Sequence, residues 1–88
     1  MSGFYVLDVP EFAALVEAAL VNPKCRVHQV RAGYRLIEFD DAVTIERHDT
    51  GLKEAVWFGC LTAGLDGKIA EFTSERLRLV ATNEPIVP

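Results

Sequence analysis

Three acidic residues stand within four positions of one another, at Glu38, Asp40 and Asp41. Carboxylates held this close repel, which can raise the pKa of one of them and make it a general acid or base; together they could also hold a divalent cation. Glu38 is the stronger candidate because it falls inside a predicted strand among apolar neighbours. The alternative is that Asp40 and Asp41 form a solvated turn, in which Asp hydrogen-bonds its own backbone.

His48, at the end of another predicted strand, is a second candidate base, because histidine titrates near neutral pH. The residues that could complete a pocket are Tyr34 and Arg35, which would hold an oxyanion or a carboxylate, and Trp57 and Phe58, which would line it. Such a site would suit a cofactor-independent proton-transfer enzyme, an isomerase or lyase, with Glu38 or His48 as its catalytic base. On one strand Tyr34 and Glu38 face the same side while Arg35 faces the other, so further strands would have to contribute.

The cysteines and histidines form no compact metal motif. Cys25 and His28 are three residues apart on a predicted strand, so their side chains point to opposite faces. Adding His48 and Cys60 would give four scattered ligands, whereas structural zinc sites come as closely spaced pairs, and we expect no metal. We expect His28 to be buried and bonded to a backbone carbonyl. Cys60 lies in an apolar segment that should raise the pKa of its thiol.

Other signatures of cofactor chemistry are missing from the sequence. It has no phosphate-cradling glycine loop, no Gly-x-Ser-x-Gly elbow and no Cys-x-x-Cys pair. We therefore expect no cofactor.

The charge balance argues against binding to nucleic acid or to an anionic membrane. Nine Lys and Arg face thirteen Asp and Glu, a net charge of −4, and such partners require a basic excess. The basic segment 24–35 leaves weak nucleic-acid binding as a minor alternative. No apolar run approaches the roughly 20 residues of a membrane span. The first residues lack the basic region of a secretion signal, so we expect a cytoplasmic protein.

Half of the 88 residues are hydrophobic, which is more than a single small domain easily buries. We expect self-association, most simply as a dimer. The surfaces we expect to be covered are the helix face formed by Ala14, Ala18 and Val21, and the strand that carries Trp57.

Apolar periodicity divides the chain into one helix and several strands. The helix starts with a capping-box pattern at Asp8 and Glu11 and ends before Pro23. Its predicted apolar stripe consists of Phe12, Leu15, Val16, Ala19 and Leu20. The predicted strands span residues 4–7, 25–31, 34–39, 43–48, 52–63, 68–72 and 76–82, with 52–63 a long central strand. The segment 83–88 is expected to be a tail.

The sequence thus predicts one α+β domain over residues 1–82. One N-terminal helix packs on an antiparallel, curved sheet of about five or six strands, in a cystatin-like or half-barrel arrangement. We expect a small cytoplasmic homo-oligomeric accessory or small-molecule-binding protein without catalysis of its own; the proton-transfer enzyme is the alternative. Its expected partners are a second copy, a larger protein or a small anionic molecule.

Overall fold

The computed structural model describes residues 2–82, apart from the side chains of residues 30 and 31. This part of the chain is α+β, with seven strands in two antiparallel sheets and a few short helices. The strands are β1 (Ser2–Leu7), β2 (Cys25–Arg31), β3 (Tyr34–Phe39), β4 (Ala42–Glu46), β5 (Leu65–Asp66), β6 (Lys68–Phe72) and β7 (Arg76–Val80). The α-helices are α1 (Ala13–Leu20), α2 (Arg47–Thr50) and α3 (Glu54–Trp57), and a 3-10 turn, Pro10–Phe12, precedes α1.

The first sheet has the strand order β2-β3-β1-β5. The predicted hairpin of β2 and β3 is confirmed, and Gly33 supplies the left-handed backbone (φ 86°) of its turn. β3 also pairs with β1, in a register that runs from Ser2 opposite Phe39 to Leu7 opposite Tyr34. This long-range pairing makes β3 a central strand.

The second sheet has the order β4-β7-β6, so the sequence expectation of a single sheet is wrong in this respect. The chain passes to the second sheet after β3, returns to the first between β4 and β5, and crosses again at Gly67, which separates β5 from β6. Gly67 has φ 155°, and a Cβ there would lie 3.0 Å from the carbonyl oxygen of Val80. Only glycine fits this crossing without displacing β7.

The core lies between the two sheets and α1. The largest fully buried side chains come from every layer: Phe4 and Val6 of β1, Ile37 and Phe39 of β3, Val43 of β4, Leu77 and Leu79 of β7, Leu15 of α1, and Trp57 and Cys60. The predicted alternation in the last strand is confirmed, since Leu77, Leu79 and Ala81 are buried. Among residues 2–82, no helix is long and apolar enough to cross a membrane.

The N-terminal helix differs from the prediction at both ends. The capping box does not form, because Val9 is the cap residue of the 3-10 turn and no side chain caps it. At the other end Leu20, predicted to belong to the apolar stripe, is 61% exposed, while Leu15 and Ala19 are buried as expected.

The predicted long strand over residues 52–63 is wrong. The segment forms α3 followed by turns, with backbone bonds from Trp57 N to Lys53 O (2.9 Å) and from Cys60 N to Trp57 O (3.1 Å). Its apolar residues also suit a helical face, because Val56, Trp57, Cys60 and Leu61 fall at i, i+1, i+4 and i+5. Trp57 is fully buried and therefore does not provide the exposed surface that we expected of it.

Candidate functional site

Arg35 is the predicted site residue that faces the helix side of the first sheet. It pairs with Val6 of β1 and shares a face of β3 with Ile37 and Phe39, all of which are buried. A charged side chain on the core-facing side of a strand must reach the end of the sheet to find polar partners. Arg35 reaches the place where β1 ends and the chain turns toward α1, beside Asp8.

A cleft of about 230 Å³ opens at this point between the sheet and α1. It is lined by Leu7, Asp8, Val9, Ala13, Val16, Glu17, Leu20 and Arg35. Apolar side chains dominate the lining, and the polar groups are one guanidinium and two carboxylates. This composition, apolar with a few convergent polar groups, is typical of small-molecule sites.

The Nε atom of Arg35 is buried and has no hydrogen-bond partner. The nearest carboxylate oxygen, Oδ2 of Asp8, lies 3.6 Å away, which is an ion-pair distance but too long for a hydrogen bond. A buried donor left unpaired costs about 1–3 kcal/mol.

Glu38 lies on the opposite face of the first sheet, so it does not line the Arg35 cleft. It is 7% exposed, which agrees with the expected desolvation. Its Oε1 accepts a hydrogen bond from Arg26 Nε (2.9 Å) and lies 3.3 Å from His28 Nε2. The hydrogen bond from Arg26 outweighs burial and lowers the pKa of Glu38.

One hypothesis from the sequence required repulsion by neighbouring acids to raise the pKa of Glu38, and this does not occur. The Arg26 guanidinium stands between them, with Nη2 bonded to Asp40 Oδ1 at 2.8 Å and Nη1 to Oδ2 at 3.2 Å. These bonds lower the pKa of Asp40 as well. The cluster is therefore a salt-bridge network on the outer sheet face with both carboxylates ionised. His28 is half-exposed beside it, which corrects the expectation that it is buried.

His48 lies in α2, because the strand predicted over residues 43–48 ends at Glu46 in the structure. Its side chain is exposed and borders a second cleft, of about 440 Å³, with Glu46, Arg47, Gly51, Leu52 and Glu75. The Arg47 guanidinium in this cleft already donates to the carbonyl oxygens of Leu52 (2.9 Å) and Ser74. This second cleft therefore has no buried unpaired group to recruit a ligand. Glu38 lies in the first sheet, whereas His48 follows β4 of the second sheet, and Glu38 does not line the cleft that His48 borders. The structure therefore does not bring the two candidate bases into one site.

The three predicted aromatic site residues occupy different places. Tyr34 is on the outer face of the first sheet, on the same side as Glu38 and opposite to Arg35, as the alternation predicts. Trp57 is in the core, where its Nε1 donates to the Thr73 carbonyl at 2.7 Å. Phe58 is 46% exposed, with its ring centroid 5.2 Å from that of Phe72. Of the residues predicted to form a site, Arg35 is the one that lines the helix–sheet cleft.

Sequence reasoning missed Asp8, Val16 and Glu17 as residues of this cleft. Asp8 was interpreted as a helix cap and Val16 as core. The signal that could have found them is positional. Asp8 directly follows β1, and Val16 and Glu17 lie on the side of α1 that faces the first sheet. Both places must adjoin β3, because β3 pairs with β1.

Cys60 is buried, and burial raises the pKa of its thiol to about 11, which confirms the sequence prediction. Cys25 is partly buried, and desolvation raises its pKa too, against the opposing charge of Arg26. Neither cysteine forms a disulfide. Within the described part of the chain, no three His, Cys, Asp or Glu side chains are grouped so that they could hold a metal ion.

A scan against models of known protein families and a search of curated proteins each found no match to this chain.

Proposed function

We propose that this chain is a small-molecule-binding accessory protein whose ligand occupies the cleft between α1 and the first sheet. The observation that carries the proposal is the Arg35 guanidinium at the wall of a mostly apolar cleft, where its Nε has no hydrogen-bond partner and its ion pair with Asp8 is long, at 3.6 Å. Buried polar atoms are usually hydrogen-bonded, so a guanidinium with unused donor capacity beside a cleft favours a ligand that carries an acceptor.

The charges in the cleft narrow the chemical class of the ligand. Arg35 suits a carboxylate, because its planar fork matches the two oxygens. Asp8 and Glu17 add two negative charges to the lining, which would repel a simple anion. A zwitterion meets both requirements, with its carboxylate on Arg35 and its ammonium group toward Asp8 or Glu17. Val9, Val16 and Leu20 offer an apolar wall for a short aliphatic body.

The volume sets the size of the ligand. At the ~30 Å³ that a water molecule occupies in the liquid, the cleft holds roughly eight non-hydrogen atoms. At about 0.5–0.7 kcal/mol per non-hydrogen atom, which lies within the range of small ligands, a ligand of this size binds with a dissociation constant of about 0.1–1 mM. An aliphatic amino acid of five carbons fits this description.

The proposal includes three expectations from the sequence: a cytoplasmic location, self-association and the absence of catalysis by this chain itself. The unpaired cysteines suit a reducing compartment. The ionised, salt-bridged state of Glu38 favours a structural role over that of a proton carrier.

The test is a titration monitored by NMR with three matched probes: norvaline, pentanoate, which lacks the amine, and butylamine, which lacks the carboxylate. We expect norvaline to bind most tightly and to shift resonances of Asp8, Val16 and Arg35. Arg35→Met should weaken norvaline binding more than tenfold, whereas Lys53→Met, which removes an exposed charge, should leave it unchanged. Absence of binding by all three probes at 10 mM, or unchanged binding to Arg35→Met, would overturn the proposal.

A further inference from the structure

β4 is an edge strand whose second side is open. Among the described residues it pairs with β7 alone. Two backbone bonds show which of its residues face β7: Ala81 N donates to Asp41 O (2.8 Å), and Arg47 N donates to Glu75 O (2.7 Å). Because hydrogen-bonded positions alternate along an antiparallel ladder, Ala42, Thr44 and Glu46 direct their N–H and C=O groups away from β7.

A groove runs along this open edge. Two adjoining clefts of about 430 and 350 Å³ share Asn22 and Thr44 and together follow β4 from Ala42 to Glu46. The far wall is formed by the end of α1 and the segment after it, where Val21 is 82% exposed. Exposed apolar surface therefore lies beside unpaired backbone groups.

Edge strands are usually protected by lysine, proline or a bulge, because open backbone groups recruit further strands. β4 has none of these devices: its sequence is Ala-Val-Thr-Ile-Glu and its register with β7 is continuous. We infer that β4 of a second copy of this chain pairs antiparallel with β4, which joins the two three-stranded sheets into one six-stranded sheet across a two-fold axis.

The strand is complementary to itself when the axis passes beside Thr44. Each Thr44 then exchanges two hydrogen bonds with the partner's Thr44, and each Ala42 does so with the partner's Glu46. All outward-facing groups are satisfied in this register. An isologous contact of this kind closes as a dimer.

The charges around the groove match the same register. Lys24 borders the groove next to Ala42, and Asp49 borders it next to Glu46. Glu46 is already paired with Arg76 of its own chain (Nε to Oε1, 2.7 Å), so antiparallel pairing leaves Asp49 of each copy to meet Lys24 of the other. The exposed Val21 lies over the seam at the same time. A second copy thus pairs the open backbone groups of β4, places Lys24 near Asp49 and covers the exposed Val21.

The test is sedimentation velocity on the full chain with a proline at the centre of the edge. Thr44→Pro removes an N–H that points to solvent in the monomer, so the fold tolerates it while strand pairing is lost. Thr44→Val keeps the N–H and is the matched control. We expect the wild type and Thr44→Val to be dimers at 50 µM, and Thr44→Pro to be a folded monomer by circular dichroism.

A charge exchange makes the inference testable even if Thr44→Pro does not fold. Lys24→Glu should weaken the dimer roughly tenfold, because the contact occurs twice, and adding Asp49→Lys should restore it. A wild type that remains monomeric at 200 µM, a dimeric Thr44→Pro, or a double variant no better than Lys24→Glu would overturn the inference. The inference rests on the self-association expected in the proposed function, whereas norvaline binding by Thr44→Pro reports on the Arg35 cleft separately, so failure of the β4 interface does not imply failure of the ligand site.

Discussion

Replacing Trp57 with phenylalanine tests the largest difference between the sequence-based expectation and the structure. The indole is fully buried, its Nε1 donates to the Thr73 carbonyl at 2.7 Å, and it packs edge-to-face on Phe72 with ring centroids 5.9 Å apart. Phenylalanine keeps one aromatic ring at this place. It removes the hydrogen-bond donor and leaves part of the indole volume empty.

The expected loss of stability follows from these two changes. An unpaired carbonyl at Thr73 costs about 1–2 kcal/mol, and the vacated volume costs about 1 kcal/mol more. The free energy of unfolding should therefore fall by roughly 2–3 kcal/mol, out of the ~4–13 kcal/mol usual for 88 residues. The melting temperature should fall by about 10–20 °C.

Urea and thermal unfolding followed by circular dichroism measure the change, since the variant has lost the chain's single tryptophan. The wild type supplies a second readout, because the fluorescence of a buried indole is blue-shifted and resists acrylamide quenching. The matched control is Phe58→Leu at the adjacent, half-exposed ring, which should cost under 1 kcal/mol. The reasoning is refuted if Trp57→Phe costs less than about 0.5 kcal/mol, or if acrylamide quenches the native tryptophan as it does in urea.

Three further substitutions or reactions probe single contacts. Gly3→Ala should destabilise the fold by more than about 2 kcal/mol in urea unfolding, because its Cβ would lie 2.7 Å from the Ile37 carbonyl oxygen; Gly59→Ala, with 3.4 Å to the nearest atom, should be near neutral. Because the folded pKa of Glu38 is lowered, its contribution is present above its usual pKa of about 4.3 and is lost as the pH falls through the folded value. The Glu38→Gln variant should therefore be less stable than the wild type at pH 7, and its free energy of unfolding should fall less as the pH is lowered. A loss of stability with acid as steep as in the wild type would contradict this. Cys60, with its pKa raised to about 11, should react with iodoacetamide at pH 8 only as fast as the fold opens, and rapid alkylation of the native protein would show that the thiol is accessible.

The elements that the sequence predicted well are those decided by neighbouring residues. The β2–β3 hairpin depends on a local turn at Gly33, and the alternation of Leu77 and Leu79 depends on one face of one strand. The failure at residues 52–63 has a different origin. In that segment the apolar residues satisfy a strand period and a helical period alike, and the choice depends on Trp57 reaching the Thr73 carbonyl from a helical turn.

The candidate site shows the same division. Alternation alone separates Arg35 from Tyr34 and Glu38, and the structure confirms that they lie on opposite faces of β3. Which face of β3 packs on the core depends on β1, because the buried Val6 and Phe4 of β1 lie opposite Arg35 and Ile37. The sequence pattern of β3 contains no information about that partner. The cleft could therefore be expected between helix and sheet, but the ion pair of Arg35 and Asp8 in its lining could be found only from the pairing of β1 with β3.

The excess of apolar residues connects these observations with the proposed dimer. The composition predicted a covered surface and assigned it to the Trp57 segment and to the helix face that includes Val21. Trp57 is fully buried in the core, so it is not available to an interface. Val21 is exposed beside the open edge of β4. A small domain that buries its tryptophan but leaves Val21 next to unpaired backbone groups has both apolar surface and hydrogen-bonding capacity at one place, and in the proposed dimer a second β4 strand uses both.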